Sequence, residues 1–118
     1  MLTSTCRVIT ASALPSSSLT DDPLEPASVV SGAPQVRILP ICEDEAITVG
    51  IWEHTVGVST DVEADEVFVV LSGRASILVA GGPQLEVAAG DVCVLAAGSE
   101  TEWTIHETLR KIYVVRSA

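Results

Sequence analysis

The sequence predicts an all-β sandwich or barrel, on three observations. Its apolar content, 47% of 118 residues, is carried by valine, isoleucine, leucine and alanine, with only 3% aromatic, and β-branched side chains suit the pleated surface of a sheet. From Val36 onward the apolar runs have strand length and are cut at short intervals by glycine, proline and acidic clusters, with no sustained helical period. The pair Gly81-Gly82 before Pro83 is a hairpin signal, because glycine takes positive φ without steric penalty. The length suits one domain with a real core.

Residues 1–34 are expected to form an arm and linker. Four prolines, Pro15, Pro23, Pro26 and Pro34, and the run Ser16-Ser17-Ser18 break up any ladder or helix there. A β-prone piece at Cys6-Arg7-Val8-Ile9 is expected to pair with a sheet edge of this chain or a neighbouring one, the alternative being a frayed terminus.

The folded domain is placed at 35–118. Its expected strands are 36–41, 46–56, 58–62, 66–71, 75–80, 84–88, 92–95, 101–105 and 109–116. Glu43-Asp44-Glu45, Gly90-Asp91 and Ala97-Gly98 supply turns, and Gly73 is expected to stop a strand. In the run Asp65-Glu66-Val67-Phe68-Val69-Val70-Leu71, Glu66, Phe68 and Val70 share one face, with Val67, Val69 and Leu71 on the other. Both faces are apolar, which predicts cover on the outer face from another element or subunit.

Sixteen acidic against six basic residues give a net charge of -10, which repels phosphate backbones and anionic membrane surfaces, so neither nucleic acid nor membrane is an expected partner. Cys6, Cys42 and Cys93 are odd in number and lack metal-type spacing, which fits a reducing cytoplasm better than a disulfide scaffold. The N-terminus lacks a basic region followed by an apolar block, and no apolar run reaches membrane-spanning length, so neither export nor insertion is expected.

Four pieces in order, Gly50-Ile51-Trp52-Glu53, then Glu66 with Gly73-Arg74, then Gly90-Asp91 with Gly98 and Trp103, then Leu109-Arg110-Lys111-Ile112-Tyr113-Val114, resemble the small single-domain cupins. The likeness runs over residues 50–116, in particular to the group related to the cupin domain of ureidoglycine aminohydrolase. It implies a double-stranded β-helix, or jelly roll: a tapered barrel with a pocket at one end, often in a homodimer. Metal-binding cupins hold a divalent ion with histidines and one glutamate. Here only that glutamate remains, as Glu66; the histidine positions fall on Thr60 and Val62, or Ser59 and Asp61, and the second-motif position on Thr101. Thr60, Val62 and Thr101 are poor ligands, so the usual site is absent and no metal is expected. An atypical site from Glu66, His54, Asp61 and His106 is the alternative.

A buried carboxylate without a metal must hold a proton, or pair with a cation or several donors. Arg74, Arg110 and Lys111 are the available cations. Glu66 is therefore expected to face the barrel and meet a polar ligand or a basic side chain, or else to lie at a solvated strand end. Glu66 and His54 are the candidate acid–base pair. His54 shares a strand face with Trp52 and carries a proton near neutral pH, unless it is a packed histidine. Trp52, Glu66, Trp103, Lys111 and Tyr113 are the candidate ligand-binding residues, although both tryptophans equally suit core filling. Lys111 and Tyr113 share one strand face and Arg110 and Ile112 the other; either pair can reach the pocket. The run Asp61, Glu63, Asp65 reads as a solvated loop, and His106 as exposed.

No nucleophile elbow or phosphate-cradling glycine loop is present. The leading expectation is a small polar metabolite bound in the barrel. A hydrolase or isomerase resembling ureidoglycine aminohydrolase, and a dimeric interaction module with a filled barrel, stay open.

Overall fold

A computed structural model describes residues 5–116. Nine strands form one curled sheet: β1 (Thr20–Asp21), β2 (Val29–Ser31), β3 (Val36–Glu43), β4 (Ile47–His54), β5 (Gly57–Val62), β6 (Glu66–Val79), β7 (Gln84–Ala88), β8 (Val92–Leu95) and β9 (Glu100–Arg116). Two 3-10 turns, Ser16–Ser18 and Pro26–Ser28, lie in the N-terminal arm.

The long strands β6 and β9 organise the molecule. They run antiparallel from Glu66 opposite Val115 to Val79 opposite Thr101. Both bend midway, so each serves two half-sheets. One half-sheet runs β1-β3-β4-β9-β6-β8 and the other β2-β5-β9-β6-β7. Alternate side chains turned inward close the core around Phe68, Val70, Ile77, Leu95, Trp103, Ile105 and Leu109. This is the expected all-β jelly roll.

Three expectations change. The strands read as 66–71 and 75–80 are halves of β6, and those read as 101–105 and 109–116 are halves of β9. Gly73 is a corner and not a stop. Its φ is +85°, and a Cβ there would run into the Thr108 carbonyl of the facing strand. The register shifts on both sides of it, so the strand turns the corner without losing its partner.

The second concerns cover from within the chain, one of the two sources expected. Along β6, Glu66, Phe68 and Val70 are buried, but Val67 and Val69 are exposed, as are Val92 and Val94 of β8 and Val114 of β9. These valines lie side by side on the outer face, Val67 between Val94 and Val114. Nothing within the described residues covers them.

The third is the arm. The strand expected at 6–9 is not formed; those residues carry no regular structure, and Val8 is 90% exposed. The ladder contacts come later and are short. β1 adds to the edge of β3 through Thr20 opposite Ile38, and β2 to the edge of β5 through Val29 opposite Ser59. Pro23, Pro26 and Pro34 keep both pieces short, since proline cannot donate to a ladder. Residues 22–28 thus strap the gap between two edge strands. Upstream, Arg110 donates through Nη1 to the carbonyls of Ala11 and Leu14, at 3.0 and 2.5 Å. Its Nε and Nη2 donate to Glu53 Oε2 at 3.0 and 2.6 Å, while Ser16 donates to Glu53 Oε1 at 2.7 Å. Arg110 and Glu53 are cross-strand neighbours on the outer face, and they pin the arm there.

Candidate functional site

Inward-facing residues of β4, β6 and β9 converge beneath the strap on a cavity of about 400 Å³. Trp52, Glu66, Trp103, Lys111 and Tyr113 all border it, together with Glu63 of the β5–β6 connection and Asp22 and Glu25 of the strap. Strand parity explains the choice between alternatives: Lys111 and Tyr113 point inward while Arg110 points outward to Glu53. Gly50 stands opposite Tyr113 across the ladder, and any side chain there would collide with the Tyr113 ring. Burial raises the Tyr113 phenol above its usual range, with the charge of Glu43 adding to the effect, so it stays protonated at neutral pH.

The floor of the cavity is an ion pair in an aromatic box. Lys111 Nζ donates to Glu66 Oε2 at 2.8 Å, and Lys111 is only 4% exposed. The same ammonium lies 4.3 Å from the ring centres of Trp52 and Phe68 and 4.6 Å from that of Trp103. The π faces and the carboxylate together replace the water lost by the cation. Phe68 was not among the expected site residues, although it shares the strand face of Glu66.

Glu63 corrects the reading of a solvated acidic loop. It is 6% exposed, and its Oε2 accepts from Thr101 Oγ1 at 2.6 Å and from Trp103 Nε1 at 3.0 Å. Thr101, at the second-motif position, therefore holds a carboxylate and fixes the indole. Asp61 and Asp65 do lie exposed. Even so, loss of water around Asp61, followed by the negative charge of Glu63, raises its carboxyl above the usual range.

His54 is brought near Trp52, with ring centroids 5.3 Å apart, but it is not among the cavity's lining residues. It is buried, with Nδ1 2.6 Å from the Thr55 carbonyl and Nε2 2.9 Å from Ser59 Oγ. The carbonyl can only accept, so Nδ1 carries the proton and Nε2 accepts from the serine. Burial holds its pKa below 6.5, and Lys111 adds to this. It is a packed, neutral histidine, and the geometry removes it from the acid–base pair. His106 is exposed and bonds to Ser76 on the outer surface, at 2.8 Å.

The donor set does not fit a divalent ion of the cupin kind. Of the places of the histidines, Ser59 is engaged with His54, Thr60 reaches the Ser28 carbonyl, Val62 offers no donor atom, Asp61 lies exposed at the cavity rim, and the second-motif Thr101 is engaged with Glu63. An ammonium stands against the one retained glutamate. Among the described residues no group of three or more His, Cys, Asp or Glu is arranged to hold a metal. A shallower depression of about 600 Å³ adjoins the cavity, sharing Ser28, Thr60 and Asp61, and its lining carries neither an aromatic ring nor a cation.

A family model described as the EutQ-like cupin domain matches residues 42–113. Among solved structures, the chain is similar to the EutQ protein of Clostridium difficile, at 19% identity and TM-score 0.66 over 73% of this chain and 65% of that one. A putative ethanolamine utilization protein of Salmonella typhimurium aligns at 22% identity and TM-score 0.63, over 71% of each chain. A protein of unknown function from Pseudomonas syringae pv. tomato, of the DUF861 family, aligns at 29% identity and TM-score 0.73 over 82% of this chain. The chain spans 65% of the Clostridium protein's length and 43% of the Pseudomonas protein's. No curated protein matches. These likenesses support a small cupin and do not extend to ureidoglycine aminohydrolase. No helix among the described residues is long and apolar enough to cross a membrane.

Proposed function

We propose that this chain, which belongs to the EutQ-like cupin domain family, binds a small polar metabolite in its barrel without a metal ion. The observation that carries this reading is the Lys111–Glu66 pair at the floor of an open cavity. A lysine neutralises the glutamate that metal-binding cupins use as a ligand. Space for a molecule of metabolite size remains above it, walled by Trp52 and Trp103, whose ring centroids are 5.4 Å apart. The ligand-binding residues are Trp52, Glu66, Trp103, Lys111 and Tyr113, with Glu63 added to them. A thermal-shift screen of ureides, amino acids, sugars and small carboxylates tests the reading, because a ligand selective for the native state raises the melting temperature. Metal analysis of protein purified without added metal is expected to find less than a tenth of an equivalent per chain, as a rough bound. Near-stoichiometric metal would restore the hydrolase or isomerase alternative.

A second reading rests on the exposed valines. We infer a cytoplasmic homodimer in which the exposed valine patch on the outer face of β8, β6 and β9 meets a second copy. Among the described residues β8 bonds only to β6, which leaves its other edge open, and two such edges can pair antiparallel about a twofold axis. The patch is free of the acidic residues that give the chain its net charge of -10, which would otherwise oppose self-association. Sedimentation is expected to give twice the 12.3 kDa chain mass, and Val94→Glu to return the monomer.

A further inference from the structure

The charges around the cavity are unbalanced. Five carboxylates border it, Asp22 and Glu25 on the strap and Asp61, Glu63 and Glu66 on the barrel, against the single ammonium of Lys111. That ammonium is already committed to Glu66 Oε2 and enclosed by three rings.

Glu63 is the residue that points to a ligand. It is more than nine-tenths buried and has no basic side chain within ion-pair distance among the described residues. Its two hydrogen bonds both end on Oε2. Oε1 accepts none from the described residues, and since no enclosed side-chain polar atom among them lacks a partner, Oε1 keeps access to solvent on a side chain that borders the cavity. Glu66 Oε1 is placed alike, with Lys111 on the other oxygen. A carboxylate stripped of water and given no cation, as Glu63 is, is unfavourable, and its Oε1 together with the second oxygen of the lysine-paired Glu66 makes a site for positive charge. At the rim, loss of water first and the charge of Glu63 second raise the Asp61 carboxyl.

Resting on the binding reading above, we infer that the ligand is a small organic cation, an ammonium or guanidinium group on a compact polar skeleton, accepted by Glu63 Oε1 and Glu66 Oε1 against the Trp103 wall. An anionic ligand would meet five like charges. A bare divalent ion would meet the Lys111 ammonium beside Glu66. An organic cation donates N–H bonds to both free oxygens, lays its apolar part on the indole, and keeps its charge clear of the boxed lysine.

Butane-1,4-diamine, butane-1,4-diol and succinate share a four-carbon skeleton and differ in charge, so titrating each into the full chain at low ionic strength, by calorimetry and thermal shift, isolates the charge class. The diamine is expected to bind and raise the melting temperature, and the other two are not. Glu63→Gln is expected to weaken the diamine by at least about tenfold, since it removes a charge-assisted acceptor. Glu45→Gln, at an exposed turn, controls for diffuse attraction to an acidic protein and is expected to leave affinity unchanged. Equal losses in the two variants would overturn the site. Should Glu63→Gln not fold, Asp61→Asn at the exposed rim replaces it; a loss of about threefold or more supports the site, and unchanged affinity overturns it. Binding of the diol or succinate without the diamine overturns the cation and leaves the binding reading standing. A shift with manganese chloride that EDTA abolishes, without one for the diamine, overturns both the organic ligand and the metal-free reading. If none of the four probes binds, the cation is overturned, and the binding reading falls only if the wider thermal-shift screen is negative too.

Discussion

Lys111 Nζ and Glu66 Oε2 meet at 2.8 Å, with both side chains more than nine-tenths buried, so the barrel carries a fixed cation of its own against its inward-facing glutamate. Breaking such a pair leaves an uncompensated charge, which costs more than the intact pair contributes. Lys111→Met is expected to lower unfolding free energy by about 3 kcal/mol. The double variant with Glu66→Leu is expected to recover most of that loss, because two apolar side chains need no partner. Urea unfolding of the two singles and the double measures the coupling; additive losses would show that cavity water already compensates each charge.

Arg110 joins the arm to the barrel. Replacing it with alanine removes the Glu53 partner and the donors to Ala11 and Leu14, at an expected cost of about 3 kcal/mol. Amide exchange should accelerate around residues 11–18 well before β6 or β9 is affected. Uniform acceleration over the chain would mean that the pin belongs to the global fold.

Gly73 and Gly98 provide a paired test of the corner. Both have positive φ, +85° and +84°, but a methyl group at Gly98 meets open space, whereas at Gly73 it meets the Thr108 carbonyl. Gly98→Ala is expected to cost about 1 kcal/mol, the left-handed penalty alone. Gly73→Ala adds a backbone collision and should cost roughly 3 kcal/mol or more. Equal losses in thermal unfolding would place the corner elsewhere.

His54 makes stability depend on acid. Its folded pKa lies below the ordinary 6.5, so on acidification below that value the unfolded chain takes up the proton first, and the native state loses stability until the folded pKa is passed. Above 6.5 this contribution is complete and flat. The slope from one proton reaches at most about 1.4 kcal/mol per pH unit. The difference in unfolding free energy between the protein and His54→Gln is expected to shrink from pH 7 to about pH 5; a constant difference would mean that the imidazole titrates alike in both states.

The legible part of this chain was its punctuation. Glycine and proline placed β3, β4, β5, β7 and β8 to within a few residues, because a turn needs special backbone whatever surrounds it. Parity grouped Lys111 with Tyr113 and Trp52 with His54 but left open which β9 pair reaches the pocket; the fold turns Lys111 and Tyr113 inward beside Trp52. What failed was non-local. Gly73 looks the same in sequence as a stop or a corner; only the facing Thr108 carbonyl decides. Glu63 sits in an acidic run, and its burial depends on Thr101 and Trp103, some forty residues away. His54 was assigned to the right strand face, yet its role was fixed by Ser59, which the sequence offered only as a displaced histidine position. The strap escaped because its two ladders are too short to show a period.

The strap also has a consequence for comparing relatives. Asp22 and Glu25 stand outside residues 42–113, the span over which the family likeness is measured, while Asp61, Glu63 and Glu66 stand within it. Part of the wall therefore lies within the family-matched barrel and part is supplied by a segment laid across it from outside that span. Exchange of some seven residues could retune which molecule is admitted while every β-strand of the shared domain stays as it is. Two proteins alike over the barrel need not accept the same guest, and chemistry learned from one is transferable only where the straps correspond.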